Sequence, residues 1–279
     1  MTIDIQVAAE AAVEAADVAE ALIQQFLASG DWQVSEKPDN TPVTEVDVAV
    51  EKLIRERLTT ALPVADFYGE ETGRQSGDQS GTASGTESGT GAQAGGPADS
   101  RWLVDPIDGT KSFIRDLPYF STQIALEVGG ELVVGVSNAP SYGQRLVAVR
   151  GQGVTINGKT VQVRRSITSL EHAFLSSGNL ATLAGESSNW LRYGTLVSQV
   201  KRVRGYGDFC HYHQLCAGQA DLIIESDVNI LDIAALTVGV REAGGIITDL
   251  QGQAIDERTT SVLAAATTEL HEAALDILH

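Results

Sequence analysis

The sequence predicts a mixed α and β protein, α+β in its first half and α/β in its second. Three observations carry this reading. The chain opens with apolar positions at helical spacing, it reads as consecutive strands from Trp102 onward, and past Ser166 strands and helices alternate. With 279 residues and 43% hydrophobic content it can bury a substantial core, in one large domain or in two closely packed halves, 1–150 and 151–279.

In residues 4–29, Leu22, Ile23, Phe26 and Leu27 recur at helical spacing in an Ala-rich background, and Gly30 ends the predicted helix. After the polar turn SEKPDNTP, a second helix is expected from near Thr44 to about Leu62. Val46, Val50, Leu53, Ile54 and Leu58 form its buried face, and Pro63 closes it. The stretch from Gly73 to about Ser100 is Gly/Ser/Thr-rich with a loose SGT repeat and no apolar periodicity, which predicts a flexible loop insertion.

RWLVD, STQIALEV, ELVVGVSNA and QRLVAVRG then read as a meander of a large sheet, and Asn157-Gly158 as the turn of a hairpin. Beyond Ser166 the order is a strand in HAFLSSG, a helix to about Val200, the segment KRVRGYG, a helix over 208–217 and the strand DLIIES. A helix from about Ile233, strands in GIITDL and SVLAAA, and a C-terminal helix complete the chain.

Lys and Arg number 19 against 37 Asp and Glu, a net charge of −18. Such a surface repels nucleic-acid backbones and anionic membranes, so neither is an expected partner. A small phosphorylated substrate would be repelled too, unless bound divalent cations reverse the field locally. No apolar run is long enough to span a bilayer, and the N-terminus is acidic and helical rather than basic and then apolar, so a cytoplasmic location is expected. Cys210 and Cys216 lack a CxxC partner and read as packing residues.

The sharpest motif is WLVDPIDGTKS at 102–112, where an apolar strand delivers Asp105, and Asp108 and Gly109-Thr110 follow. Two carboxylates this close repel each other and raise each other's pKa unless a cation sits between them, and oxygen-rich clusters suit hard cations such as Mg²⁺. The same letters also describe an ordinary strand followed by an Asp-Gly turn. Glu70-Glu71 follows a short apolar approach and could equally be solvated. Asp232 precedes an apolar helix ending at Gly244-Gly245, as an N-cap would, and an N-cap carboxylate can also face a metal. Thr44 with Asp47 resembles a capping box, and Asp47 could instead orient a hydroxyl or water.

Taken together and in this order, PVTEVD, GEE, DPIDGT and the late Asp-x-Ala-Ala-Leu…Glu-Ala-Gly-Gly segment resemble the inositol monophosphatase superfamily over nearly the whole chain outside the insertion. Lys201 to Glu225, RGYGDF above all, is most similar to its histidinol-phosphate phosphatase branch. Leu231 stands where the family carries Trp before the late Asp. The resemblance implies a layered αβαβα sandwich, a homodimer, and a phosphatase using two or three Mg²⁺ ions. On histidinol phosphate it would serve histidine biosynthesis; an inositol monophosphatase, or another small-molecule phosphatase of the superfamily acting on a nucleotide or fructose bisphosphate, is the alternative.

The resemblance also implies residue roles. Glu70, Asp105 and the main-chain carbonyl of Ile107 would hold one Mg²⁺; Asp105, Asp108 and Asp232 would hold a second. Thr110 with Asp47, assisted by Glu70, would activate water, and the amides of Gly109 and Thr110 would receive phosphate oxygens. Asp108, Asp232, Arg204, Asp208 and Glu225 would line the substrate side.

A haloacid-dehalogenase phosphatase needs D-x-D-x-T/V on its first strand, whereas here the spacing is D-x-x-D and comes after 100 residues. A P-loop enzyme needs GxxxxGK[S/T], of which Gly109-Thr110-Lys111-Ser112 imitates only part of the tail, and both are poor fits. A catalytically silent regulatory member is a rival of a different class, which a metal titration with turnover distinguishes.

Overall fold

The computed structural model describes residues 3–36, 42–77 and 100–279. Helix α1 spans Ile5–Ser29, with Asp4 as N-cap and Gly30 as C-cap. Its buried face consists of seven alanines and Ile23, while Leu22, Phe26 and Leu27 are only partly covered. Small side chains let this helix lie close to its neighbours, so fewer large ones are needed. Strands β1 (Val34–Glu36) and β2 (Pro42–Thr44) form an antiparallel pair where the sequence predicted only a polar turn. Helix α2 (Glu45–Ala61) starts in a complete capping box between Thr44 and Asp47. It buries Val46, Val50, Ile54 and Leu58, and with them Asp47 and Glu51.

The next strands are β3 (Asp66–Gly69), β4 (Gly73–Gln75) and β5 (Ser100–Asp108), followed by the short helix α3 (Thr110–Ile114). Gly73–Gln75 therefore does not belong to a loop excursion. It pairs with β3, although GRQ lacks the β-branched signature of a strand. Most of the predicted insertion, residues 78–99, lies outside the described residues. Strands β6 (Ser121–Val128), β7 (Glu131–Ala139) and β8 (Gln144–Val149) form the expected meander, and β9 (Gly153–Ile156) and β10 (Lys159–Thr160) extend it around Asn157-Gly158. One eight-stranded sheet results, in the order β10-β9-β8-β7-β6-β5-β3-β4, so its last hairpin lies beyond residue 150.

The second half supplies β11 (Phe174–Gly178), α4 (Ala181–Gly185), α5 (Ser187–Gln199), β12 (Arg202–Arg204) and α6 (Asp208–Cys216). After these come β13 (Leu222–Ser226), α7 (Ile230–Glu242), β14 (Ile246–Thr248), β15 (Ser261–Ala265) and α8 (Thr268–Leu278). Its five strands form a second sheet in the order β12-β11-β13-β15-β14.

Three apolar clusters stack these pieces. The first joins α1 and α2 to one face of the large sheet, and the second joins its other face through α6 and α7 to the small sheet. The third packs α5 and α8 on the small sheet's outer face, which completes an αβαβα sandwich. Cys210 and Cys216 are buried free thiols. Among the described residues no helix is long and apolar enough to cross a membrane.

Candidate active site

Strands β3 and β5 run parallel with Gly69 opposite Val104, so Glu70 and Asp105 leave the sheet side by side at the same edge. Asp105 and Asp108 are three residues apart, a spacing that sends side chains to opposite faces of a regular strand. Here the register shifts: Asp105 pairs with Gln123 but Asp108 pairs with Ser121, three steps against two. The extra residue is a bulge, which re-aims both carboxylates to one side. Gly109 then turns the chain at φ +90°, and a Cβ there would lie 2.6 Å from the Tyr119 carbonyl.

Asp232 arrives from the first turn of α7. Asn229, not Asp232, is that helix's N-cap, and the helix starts at Ile230 rather than Ile233. Asp232 is the third residue of the capping box, accepting the Asn229 backbone N–H at 2.8 Å and its side-chain amide at 3.0 Å. One oxygen from each of Asp105, Asp108 and Asp232 lies within 4.8 Å of the others.

The Thr110 hydroxyl donates to Oδ1 of Asp47 at 3.4 Å and contacts the Ile107 carbonyl at 3.1 Å. The other oxygen of Asp47 accepts the Thr44 N–H at 2.8 Å, so one buried carboxylate serves both the capping box and the cleft. On the far side Glu225, at the end of β13, is buried with both oxygens engaged. Oε1 accepts the Asp208 N–H at 3.2 Å, and Oε2 meets the Tyr212 hydroxyl at 2.9 Å and His211 Nε2 at 3.1 Å. Asp208 makes no cap bond; the N-cap of α6 is Gly207. Glu70, Asp108, Gly109, Thr110 and Asp208 line one cleft of about 740 Å³. Arg204 is not brought to it: this exposed residue donates to the Val203 carbonyl at 2.7 Å.

The electrostatics of this cluster are those of anions short of a counter-charge. Burial, and then Glu70, Asp108 and Asp232, raises the Asp105 carboxyl far above the ordinary range. Burial, and then Asp208, Asp232 and Glu225, does the same to Asp108. Burial brings Asp232 up to about 7 and Asp208 to about 6, and it also raises Asp47. Lys111 is the sole basic side chain among the described residues lining the cleft. A set of convergent carboxylate oxygens, Asp105 buried and Asp108 and Asp232 partly so, fits a hard divalent cation such as Mg²⁺, which demands oxygen donors and would relieve the repulsion.

Sequence reasoning missed the residues that hold these groups in place. The Ser121 hydroxyl donates to Asp108 at 3.2 Å, and Gln123 Nε2 reaches Ser121 at 2.8 Å and Ser137 at 3.1 Å. Ser137 in turn meets His213 Nε2 at 3.0 Å, and burial lowers His213 to about 3, so it is neutral. The bulge opposite Ser121 has no local signature, and β6 reads simply as an apolar strand.

The model of the inositol monophosphatase family matches residues 4–279. A histidinol-phosphatase of Mycobacterium tuberculosis is 36% identical over 247 residues, covering 87% of each chain. One from Streptomyces coelicolor is 35% identical over 254 residues, covering 85% of each. The crystal structure of extragenic suppressor protein suhB from Bartonella henselae superposes with a TM-score of 0.81 at 28% identity, over 96% of this chain and 97% of that one.

Proposed function

The chain belongs to the inositol monophosphatase family, and from that premise we propose that it is a magnesium-dependent phosphoric monoester hydrolase acting on histidinol phosphate. The carrying observation is the carboxylate of Asp208, which lines the same cleft as Glu70 and Asp108. With Glu70, Asp105, Asp108 and Asp232 committed to holding divalent cations, Asp208 would be left as the anion available to the part of the substrate away from phosphate. Histidinol phosphate offers an ammonium and an imidazole there, which a carboxylate binds by charge-assisted hydrogen bonds. Inositol offers only hydroxyls.

In this reading Glu70, Asp105 and the Ile107 carbonyl would hold one Mg²⁺, and Asp105, Asp108 and Asp232 would hold a second. Bound magnesium supplies the positive charge that orients phosphate and offsets charge developing on the leaving oxygen. The chain's own residues do the rest. The Thr110 hydroxyl, fixed between Asp47 and the Ile107 carbonyl, holds the attacking water. Asp47 is made a stronger base by burial and accepts the proton through Thr110. The amides of Gly109 and Thr110 receive phosphate oxygens. Glu225, whose oxygens are both engaged, positions Asp208 rather than touching substrate.

The test is phosphate release from histidinol phosphate by the full chain. Release that stops with chelator, returns with Mg²⁺ and is lost in Asp105→Asn supports the proposal. Metal-independent release would overturn it.

A further inference from the structure

Glu51 is fully buried on α2, one helical turn beyond Asp47, so both side chains leave the helix on the same face. The rest of that face is Val46, Val50, Ile54 and Leu58, among which a carboxylate is costly unless its oxygens are hydrogen-bonded. They are. Oε2 accepts the backbone N–H of Glu71 at 2.7 Å and Oε1 that of Thr72 at 2.9 Å. These are the two amides directly after Glu70. On the other side the Glu70 N–H donates at 3.1 Å to the carbonyl of Val104, the residue before Asp105. The approach leaves no space at residue 69, where a Cβ would lie 2.4–2.7 Å from the carboxylate atoms of Glu51.

We infer that Glu51 is a positioning residue for metal binding: it clamps the turn after β3 so that Glu70 is presented to Asp105. Through Asp47 and Glu51, helix α2 then fixes two parts of the site at once, the Thr110 hydroxyl and the Glu70 turn. Bonds from backbone amides to a carboxylate are about twice as strong as neutral ones, which gives the clamp its stiffness. This inference rests on the reading of Glu70 as a metal ligand.

Calorimetric titration of the metal-free full chain with Mg²⁺ tests it, with thermal unfolding recorded alongside. Glu51→Gln replaces one accepting oxygen with a donor that faces an amide N–H. It is expected to keep cooperative unfolding and to weaken by about tenfold the same binding event that Glu70→Gln weakens, the size of one lost charged hydrogen bond. The double variant should bind Mg²⁺ no more weakly than Glu70→Gln alone. Wild-type binding by Glu51→Gln, or losses that add in the double variant, would overturn the inference. If Glu51→Gln does not fold, Glu51→Asp, which withdraws the charge by one methylene, must show the same selective loss. Wild-type binding by that variant, or unfolding of both, makes Glu51 a residue of the fold alone and overturns the inference. Unchanged binding by Glu70→Gln would instead refute the ligand assignment, a separately visible outcome.

Discussion

Asp47 and Thr110 lie 63 residues apart in sequence, yet the Thr110 hydroxyl donates to Asp47 Oδ1 at 3.4 Å. The contact joins the start of α2 to the turn after β5 and places a proton acceptor behind a hydroxyl that faces the cleft.

Asp47→Asn should therefore lower kcat by about 100-fold or more, the usual range for loss of general-base assistance. Its cost in stability should be only about 1 kcal/mol, because the amide oxygen can still accept the Thr44 N–H of the capping box. Thr110→Ala should fall by a similar factor, and the double variant no further, since the two act as one unit. Steady-state kinetics and denaturant unfolding on the three variants check this. Additive losses would separate the residues.

Asp105→Asn should move activity and stability in opposite directions. Its carboxylate is buried beside Glu70, Asp108 and Asp232, so neutralising it relieves repulsion in the metal-free chain. The metal-free variant should melt at a higher temperature than wild type, show no stabilisation by Mg²⁺ and turn over almost nothing. A lower melting temperature in chelator would assign Asp105 a structural part instead.

The carboxyl cluster sets a pH dependence with a definite sign. A carboxyl raised in the folded state stabilises the fold below its unfolded value near 4 and loses that contribution as pH rises through its folded value. With Asp208 raised to about 6 and Asp232 to about 7, the contribution of these two carboxyls falls between about pH 4 and pH 7 in chelator. Mg²⁺ binds the ionised form, so the rise in melting temperature it produces should grow across the same window. His213 acts in the opposite sense: neutral in the fold, it loses its contribution as pH falls below its ordinary 6.5 towards about 3. Melting curves with and without Mg²⁺ across that range separate the two, and a Mg²⁺ effect independent of pH would contradict the cluster's part.

Asp208→Ala should reduce kcat/KM for histidinol phosphate more than for inositol monophosphate, by roughly 1–3 kcal/mol of transition-state binding. Glu225→Gln should produce a similar shift in selectivity, because its carboxylate holds the Asp208 backbone. Equal losses on both substrates would mean that neither residue discriminates.

Much of this architecture is legible in the sequence because its signals are local. Gly30, the Thr44 box, the Asn157-Gly158 turn and the strand meander depend on nearby residues. The acidic site is legible through the order of four motifs rather than through any one of them. What stays hidden is tertiary. Asn229 and Asp232 are both good N-caps, and only the folded chain shows which one begins α7. Glu51 belongs to none of the four motifs, and its part is visible only with the Glu70 turn folded over it. Strand β4 forms because β3 offers it an edge, not because GRQ favours extended backbone. Arg204 lies close in sequence to Asp208, but on β12 its guanidinium is drawn to the Val203 carbonyl.

The most direct test is the ratio of kcat/KM for histidinol phosphate to that for inositol monophosphate, measured with the wild-type chain in saturating Mg²⁺. A cleft with Asp208 on its substrate side predicts a ratio well above one, with both activities abolished by chelator. A ratio below one, or phosphate release from neither ester, would contradict it.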